Sequence, residues 1–390
     1  MGRAGQRLTR VAGTITWEQL RELAGFRASR GCAVSFYVGL DPSDAPTAGD
    51  VAVRVNSLLA EAERVVDARR GSLDHHAREG LKGDLGRIGI WFDDEFDRGG
   101  ARGVAVFADG LDNFWTTLAT AGAVVDVVKI GSELYLAPLV PLVGRGQGAL
   151  VAVVGRERGQ LFRLEAGRLV EIADQTDEVP GRHDQGGWSQ GRYGRHIEAI
   201  VDRHLRRVAE TLNRCVRRMR GTRVVLVGGE EVRSELEAML ARETLNCVDG
   251  WAAVEAHADE SRLLSAVEPM LDAWWAGREA ELLERWREEA ARSGRATAGW
   301  AETLEAATDG RVDLLLVQDG VDHPAYQCPA CGRTQIADGS CPLDGTTMEP
   351  RQEGLDLAVH KTLVNGGIVQ VIHERRDLEP VGGLAALLRY

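Results

Sequence analysis

A loop rich in glycine and amide side chains is the part of this sequence best suited to position a reaction. It reads Gln185-Gly186-Gly187-Trp188-Ser189-Gln190. Glycine tolerates backbone conformations with positive φ and lets the main chain approach a ligand closely. A neutral amide can orient water without titrating, while backbone N–H groups face the negative charge that develops on an oxygen. Such a loop favours catalysis by positioning rather than acid–base catalysis.

Three of the six cysteines lie in one short segment, and their spacing indicates a metal site. Cys328-Pro329-Ala330-Cys331-Gly332 is a zinc-knuckle sequence, in which the glycine lets backbone amides turn around thiolate sulfur. Cys341-Pro342-Leu343-Asp344-Gly345 repeats this pattern with a carboxylate in the place of the second cysteine. We therefore expect structural zinc bound by Cys328, Cys331, Cys341 and Asp344.

The fourth zinc ligand has alternatives, because structural sites prefer sulfur and imidazole to carboxylate. The nearby sequence offers His323, His360 and His373. A ribbon that keeps its fold without metal is a further alternative. Catalytic zinc is not expected, since the insertion is short and a hydrolytic site needs an open coordination position beside a general base.

Positive charge concentrates directly after the glycine loop, although the chain as a whole carries a net charge of −12. Between Arg182 and Arg223 there are nine arginines, against four acidic residues. The nine are Arg192, Arg195, Arg203, Arg206, Arg207, Arg214, Arg217, Arg218 and Arg220. An acidic protein approaches phosphate only through such a local concentration of positive charge. The segment predicts an RNA-binding helix; a merely solvated helix face is the alternative.

The elements around these residues indicate three domains of mixed α/β and α+β class. Residues 1–145 form the first, with a capping box at Thr16, a strand at 32–38, an amphipathic helix through 55–66 and strands at 103–107 and 123–128. Residues 146–275 form the second. It opens with a meander of short strands, continues as a polar loop from Asp174 to about Gly194, and then enters a long amphipathic helix.

Residues 276–390 are predicted as a C-terminal α/β domain. A charged amphipathic segment at 278–292 and a helix at 300–307 precede the strand 312–317. The cysteine-bearing insertion, residues 326–346, interrupts the domain, which resumes with a helix at 354–365 and strands at 368–372 and 384–388. The insertion is expected to be zinc-ribbon-like and to shape an interaction surface.

The glycine loop and the basic helix resemble a known family. The stretch 186–195 looks like the Gly-Gly-Gln loop and following helix in the middle domain of archaeo-eukaryotic release factors. The end of the chain, 381–390, is similar to the closing strand of Pelota-type rescue factors. The resemblance covers about residues 146–390, and Ser35 to Pro46 resembles the bacterial branch that includes the Balon hibernation factor.

The resemblance implies a three-domain, release-factor-like protein that acts at the ribosome. Gly186, Gly187 and Gln190 would form a tip that enters towards peptidyl-tRNA and hydrolyses its ester in ribosome rescue. Trp188 and the arginines at 192, 195, 203, 207 and 214 would contact RNA, because aromatic rings stack on bases and arginines bind phosphate. The implied partners are the ribosome, tRNA or ribosomal RNA, and a translational GTPase.

Trp188 departs from the family pattern, because it stands where the family's glutamine follows the two glycines. Gln190 or Gln185 could reach the same ester, and Gln190 is favoured because it leads directly into the basic helix. The alternative is a non-catalytic hibernation or protection factor. In that case Trp188 would stack on an RNA base and the loop would not hydrolyse the ester. No Asn-Ile-Lys-Ser-like motif is found in the N-terminal domain, so stop-codon reading is not expected.

The apolar stretches of the chain place further limits on function. The longest, such as 149–155 and 134–143, fall far short of the roughly 20 residues that cross a bilayer. Residues 1–10 are basic, but no apolar core of a secretory signal follows them. The expectation is therefore a cytoplasmic protein without a membrane span.

Overall fold

A computed structural model describes residues 15–71, 73–120, 122–143, 149–165, 168–176, 190–219, 222–254, 258–292 and 294–390. Contacts divide the chain into two units, one of residues 1–145 with 278–390 and one of residues 146–277. None of the helices in these described ranges is both long and apolar enough to span a bilayer. The predicted mixed α/β and α+β class is confirmed by the four separate sheets that the described ranges form and by the helices packed on them.

The N-terminal segment forms one antiparallel sheet. Its elements are α1 (Trp17–Ala24), β1 (Ala33–Gly39), α2 (Ala48–Ala68), α3 (His75–Asp94), β2 (Gly103–Asp109), β3 (Phe114–Thr120), β4 (Val127–Gly131) and a 3-10 turn at Ala137–Leu142. The strand order is β3-β2-β1-β4, and the apolar sides of α2 and α3 cover one face. The predicted capping box is present, since the Thr16 hydroxyl accepts from the Gln19 amide and the Gln19 side chain accepts from the Thr16 amide.

The second unit is a five-stranded sheet with helices on both faces. Its elements are β5 (Leu150–Val154), β6 (Gly159–Glu165), β7 (Arg168–Asp174), α4 (Gln190–Arg218), β8 (Val224–Gly228), α5 (Glu230–Met239), α6 (Arg242–Leu245), β9 (Val248–Ala252) and the first part of α7 (Glu260–Ala291). The predicted meander is confirmed, because β5, β6 and β7 pair antiparallel, while β8 joins β5 and β9 in parallel. Helices α4 and α5 share a core with one face, and α7 packs on the other.

The C-terminal segment adds a second four-stranded sheet and a small three-stranded one. Its elements are β10 (Ala296–Ala298), α8 (Trp300–Thr308), β11 (Val312–Gln318), β12 (Ala325–Gln327), β13 (Thr334–Gln335), β14 (Glu349–Arg351), α9 (Gly354–Val364), β15 (Ile368–Ile372), a 3-10 turn at Glu379–Val381 and β16 (Leu384–Leu388). The larger sheet has the order β10-β16-β11-β15, and the smaller one, β13-β12-β14, carries the cysteine insertion.

Helix α7 corrects one prediction. The amphipathic segment expected at 278–292 is only the second part of a helix that begins at Glu260. It runs across the predicted boundary between residues 275 and 276, and its two parts belong to different contact units. The division into three domains itself stays a prediction.

The N-terminal and C-terminal segments of the first unit share one apolar core. Tyr37 and Phe107, on the face of the N-terminal sheet opposite α2 and α3, belong to the same buried cluster as Leu304, Leu315 and Leu363. Polar contacts reinforce this packing. The Asp356 carboxylate accepts from the amides of Leu136 at 2.7 Å and Ala137 at 3.0 Å, and Lys129 pairs with Glu353.

Asp356 makes the stability of this unit depend on pH. Burial, opposed by the two amide hydrogen bonds and assisted by Glu133 and Glu353, raises the pKa of Asp356 from 3.8 to about 7. The folded protein therefore holds this proton to higher pH than the unfolded chain. Its stabilising contribution is complete below about pH 4 and declines until about pH 7.

Replacing Asp356 by Asn is expected to remove this dependence, because the amide oxygen still accepts from both backbone amides but carries no charge. In urea unfolding from about pH 4 to about pH 7, the midpoint of the native protein should fall relative to that of Asp356→Asn. Asp313→Asn, at an exposed position on β11, is the matched control and should follow the native protein. Parallel pH profiles for native protein and Asp356→Asn would show that the carboxyl has no such role.

Candidate nucleic-acid interface and metal site

Helix α4 is amphipathic along its length, as the spacing of its apolar residues predicts. Its inner side is buried against the sheet of the second unit through Ile197, Val201, Leu205, Val208, Leu212 and Val216. His204 is also buried on this side, and its Nε2 lies 3.2 Å from the carbonyl oxygen of Arg158. The inner side therefore fixes which residues of the helix face solvent.

The outer side of α4 carries the arginines. Arg203, Arg207, Arg214 and Arg218 are exposed, and their spacing of four, seven and four residues puts them on one face. Arg206 pairs with Asp202 at 2.9 Å, so part of its charge is matched within the helix. Neither Arg203 nor Arg214 forms an ion pair with any residue in the described ranges. Arg203 and Arg214 therefore present uncompensated positive charge to solvent on this face.

The start of α4 corrects the expected end of the polar loop. The helix begins at Gln190, not after Gly194, so Gln190, Arg192 and Arg195 all belong to its first turns. Gly191 and Gly194 weaken helix propensity there, which is why the sequence pattern placed the boundary too late. Gly186, Gly187 and Trp188 lie outside the described residues. The first turn of a helix has free backbone N–H groups and a positive dipole end, both suited to an anionic surface.

The cysteine insertion brings its four predicted ligands together. The ligand atoms of Cys328, Cys331, Cys341 and Asp344 all lie within 4.8 Å of one another. The Sγ atoms of Cys331 and Cys341 are 3.5 Å apart, and Asp344 Oδ2 is 3.4 Å from Cys328 Sγ. Tetrahedral zinc with Zn–S distances of about 2.3 Å needs ligand atoms about 3.5 to 3.8 Å apart. The donor set and these two separations therefore fit zinc.

The two halves of the cluster have the same backbone geometry. The Gly332 amide donates to the Cys328 carbonyl, and the Gly345 amide donates to the Cys341 carbonyl, each at 2.9 Å. Both glycines have a φ of 74°, a conformation that strongly favours glycine. Asp344 thus occupies in the second turn the place that Cys331 occupies in the first. The repeat recognised in the sequence is also a structural repeat.

The three histidines considered as alternative ligands lie elsewhere. His360 is buried with its Nδ1 4.0 Å from Glu133, and His373 Nδ1 is 3.1 Å from Asp319. His323 Nδ1 is 2.6 Å from the Pro324 carbonyl oxygen. Among the residues that the structure describes, Asp344 is the one that completes the cluster.

Neighbouring residues keep Asp344 ionised and link the cysteine insertion to helix α8. The Thr346 amide donates to Asp344 Oδ1 at 2.9 Å, and this hydrogen bond holds the pKa of the carboxyl well below its usual range. Asp344 is thus ionised at neutral pH, as a ligand must be. Arg333, beside the first turn, pairs with Glu305 and Asp309 at α8. The supporting roles of Thr346 and Arg333 could not be predicted from the sequence, because neither residue is a predicted ligand or part of the cysteine motif.

Comparison with known proteins shows which proteins this chain is similar to. The sequence model of the bacterial archaeo-eukaryotic release factor family 10 matches residues 135–271. Peptide chain release factor subunit 1 of Archaeoglobus fulgidus is 27% identical over 288 residues, covering 66% of this chain and 69% of that protein. The corresponding protein of Thermoplasma acidophilum is 24% identical over 286 residues, covering 67% and 68%.

A solved structure also aligns with this chain. Pelota from Archaeoglobus fulgidus is 16% identical, with 76% of this chain and 82% of that chain covered and a TM-score of 0.31. The family model covers residues 146–271 of the second unit, and the two relatives each align with about two thirds of the chain. By these sequence matches, the chain is similar to the archaeo-eukaryotic release factors.

Proposed function

We propose that this protein is a ribosome-associated translation factor that inserts its Gly186-Gly187 loop towards peptidyl-tRNA and hydrolyses the ester in ribosome rescue. The observation that carries the proposal is the exposed arginine face of α4, a helix that begins at Gln190, three residues after the glycine pair. The relatives are peptide chain release factors, which supports translation as the process.

The charge distribution supports RNA as the binding surface. The chain carries a net charge of −12, so it is repelled by nucleic acid except where positive charge is concentrated. Arg203, Arg207 and Arg214 form such a concentration, with their side chains exposed on one face of a rigid helix. Arginines spaced along a helix can follow a phosphate backbone and fix the direction of the loop at the helix start.

The chemistry proposed for the loop is positioning. Water attacks the carbonyl carbon of the ester, the tRNA hydroxyl leaves, and the peptide departs as a carboxylic acid. Gln190 would orient the water, and the glycine pair would let backbone N–H groups approach the oxygen that becomes negative. No titrating side chain is required in this scheme.

Release of labelled peptide from stalled ribosome complexes tests the proposal. The native protein should release peptide well above the spontaneous rate, and Gln190→Ala should lower that rate by about a hundredfold, the scale for loss of one positioned group. Ser189→Ala is the matched control in the same loop and should keep most of the activity. Equal release by the native protein and Gln190→Ala, at the spontaneous rate, would rule out hydrolysis.

A second function, occupation of idle ribosomes without hydrolysis, is favoured by Trp188 in the family's glutamine position. An indole there could stack on an exposed base, and such stacking contributes about 1–3 kcal/mol. Ribosome co-sedimentation should then weaken with Trp188→Ala and survive Gln190→Ala. The opposite pattern would exclude this function.

Two further assignments belong to the proposal. The cluster of Cys328, Cys331, Cys341 and Asp344 would hold structural zinc, which would fix the fold of an insertion too small to have a large apolar core. The insertion lies in the part of the chain that resembles the partner-binding domain of the family. We therefore assign a translational GTPase as the partner of this domain and the ribosome, with its tRNA or ribosomal RNA, as the partner of α4.

A further inference from the structure

The fourth corner of the metal cluster differs chemically from the other three. Cys328, Cys331 and Cys341 offer soft thiolates, which zinc binds strongly, whereas Asp344 offers a hard carboxylate. The backbone around Asp344 has the same turn as the backbone around Cys331, with glycine at φ 74° following each. The turn is therefore built for a ligand at this position, and the ligand it carries is the weakest of the four.

The two carboxylate oxygens of Asp344 both lie near Cys328 Sγ but differ in their contacts with the backbone. Oδ1 accepts from the Thr346 amide at 2.9 Å, whereas Oδ2 is the nearer of the two to Cys328 Sγ, at 3.4 Å against 3.6 Å. Because Oδ1 already accepts from the Thr346 amide, this arrangement favours coordination through Oδ2 rather than through Oδ1. A ligand held through one oxygen dissociates without disturbing the backbone turn that supports it.

Burial divides the cluster into an inner and an outer half. Cys328 and Cys341 are buried, with 1% and 2% of their surfaces exposed. Cys331 and Asp344 are exposed. The hard, weak ligand is therefore also one that solvent can reach, so an incoming ligand can replace it while the inner thiolates keep the metal.

We propose that Asp344 is the fourth zinc ligand and that it makes this an exchangeable site, which releases zinc through its solvent-facing corner. A site with four thiolates would be closed and would retain its metal. The inference rests on the zinc assignment made above, and it is independent of whether the glycine loop hydrolyses peptidyl-tRNA.

Zinc transfer to a chromogenic chelator, 4-(2-pyridylazo)resorcinol, measures the exchange in the full-length protein. Asp344→Cys should bind zinc and release it at least about tenfold more slowly than the native protein. Asp344→Ala should release it at least about tenfold faster, because losing even a supporting partner of a ligand costs about 10–100-fold in affinity. Asp338→Ala, which removes an exposed acid of the same insertion outside the cluster, should match the native protein.

Cobalt substitution provides a readout that a merely structural role of Asp344 would not change. With Co²⁺, thiolate charge-transfer absorption should rise by about one third in Asp344→Cys, since a fourth thiolate joins three. It should stay unchanged in Asp338→Ala. Zinc binding with identical release rates and identical cobalt spectra in all variants would overturn the Asp344 inference alone. Failure of the native protein to bind zinc would overturn the zinc assignment as well.

Discussion

Replacing Arg203, Arg207 and Arg214 together by glutamate is expected to weaken ribosome binding by about a hundredfold at physiological salt. The three side chains lie exposed on the outer face of α4, opposite the buried residues that hold the helix to its sheet. The slope of log affinity against log salt is negative, and each lost phosphate contact reduces its magnitude by about 0.7 to 0.9. Co-sedimentation at several salt concentrations should therefore show a slope smaller by about two to three.

A matched variant distinguishes the loss of phosphate contacts on α4 from the effect of the changed net charge. Arg64, Arg262 and Arg285 are exposed on α2 and α7, and their replacement by glutamate changes the net charge equally. This variant should keep most of the affinity, with a nearly unchanged salt slope. Equal loss in both triple variants would point to overall repulsion, and no loss in the α4 variant would remove α4 from the interface.

Replacing Cys328 and Cys341 by serine is expected to abolish zinc binding and unfold the insertion. The core of the insertion consists of these two buried thiols with Met348 and the partly buried Tyr326, so little apolar packing remains without metal. Structural zinc contributes about 10–16 kcal/mol to the folding of small zinc-finger peptides. Zinc content should fall from about one per chain to near zero, and hydrogen exchange should quicken across residues 325–351.

The four-stranded C-terminal sheet should keep its protection in this variant, because most of the residues in the cores that hold β11, β15 and β16 lie outside the insertion. Cys215→Ser is the control, since this thiol is half-buried on α4 and lies outside the cluster. Full zinc content in the double variant would contradict the ligand assignment. Unchanged hydrogen exchange after complete zinc loss would instead favour a ribbon that folds without metal.

Helices and strands whose apolar residues recur at a regular spacing could be predicted from the sequence. Helix α4 and strands β5, β6, β8 and β11 follow their apolar patterns to within a few residues. Helix α3 was missed because glycines at 80, 83, 86 and 89 lower its helix propensity. Its formation depends on packing against α2 and the sheet, through Leu81, Leu85 and Ile88. Strand β3 was also missed, and the strand expected at 123–128 lies at Val127–Gly131.

Long-range associations could not be predicted from local patterns. Nothing in the spacing of Tyr37, Leu139 or Leu363 shows that the two ends of the chain share one core. The same holds for Asp356, whose acceptor role towards Leu136 and Ala137 depends on a contact across more than 200 residues of sequence.

In the metal cluster, the three cysteine ligands could be predicted from the sequence, but the fourth ligand could not. The cysteine spacing identified three ligands, because a knuckle is a local structure. The fourth remained open among Asp344 and three histidines until the tertiary structure placed the histidines elsewhere. The catalytic assignment of Gly186, Gly187 and Gln190 remains a proposal, since the glycine pair lies outside the described residues.

The central claim is most directly tested by single-turnover release of labelled peptide from ribosomes that hold peptidyl-tRNA, with the protein in excess. We expect release well above the spontaneous rate with the native protein, and loss of that release in both Gln190→Ala and the triple arginine variant of α4. Only the arginine variant should also fail to co-sediment with ribosomes. Spontaneous release by a native protein that co-sediments normally would contradict hydrolysis and would leave occupation of the ribosome as its function.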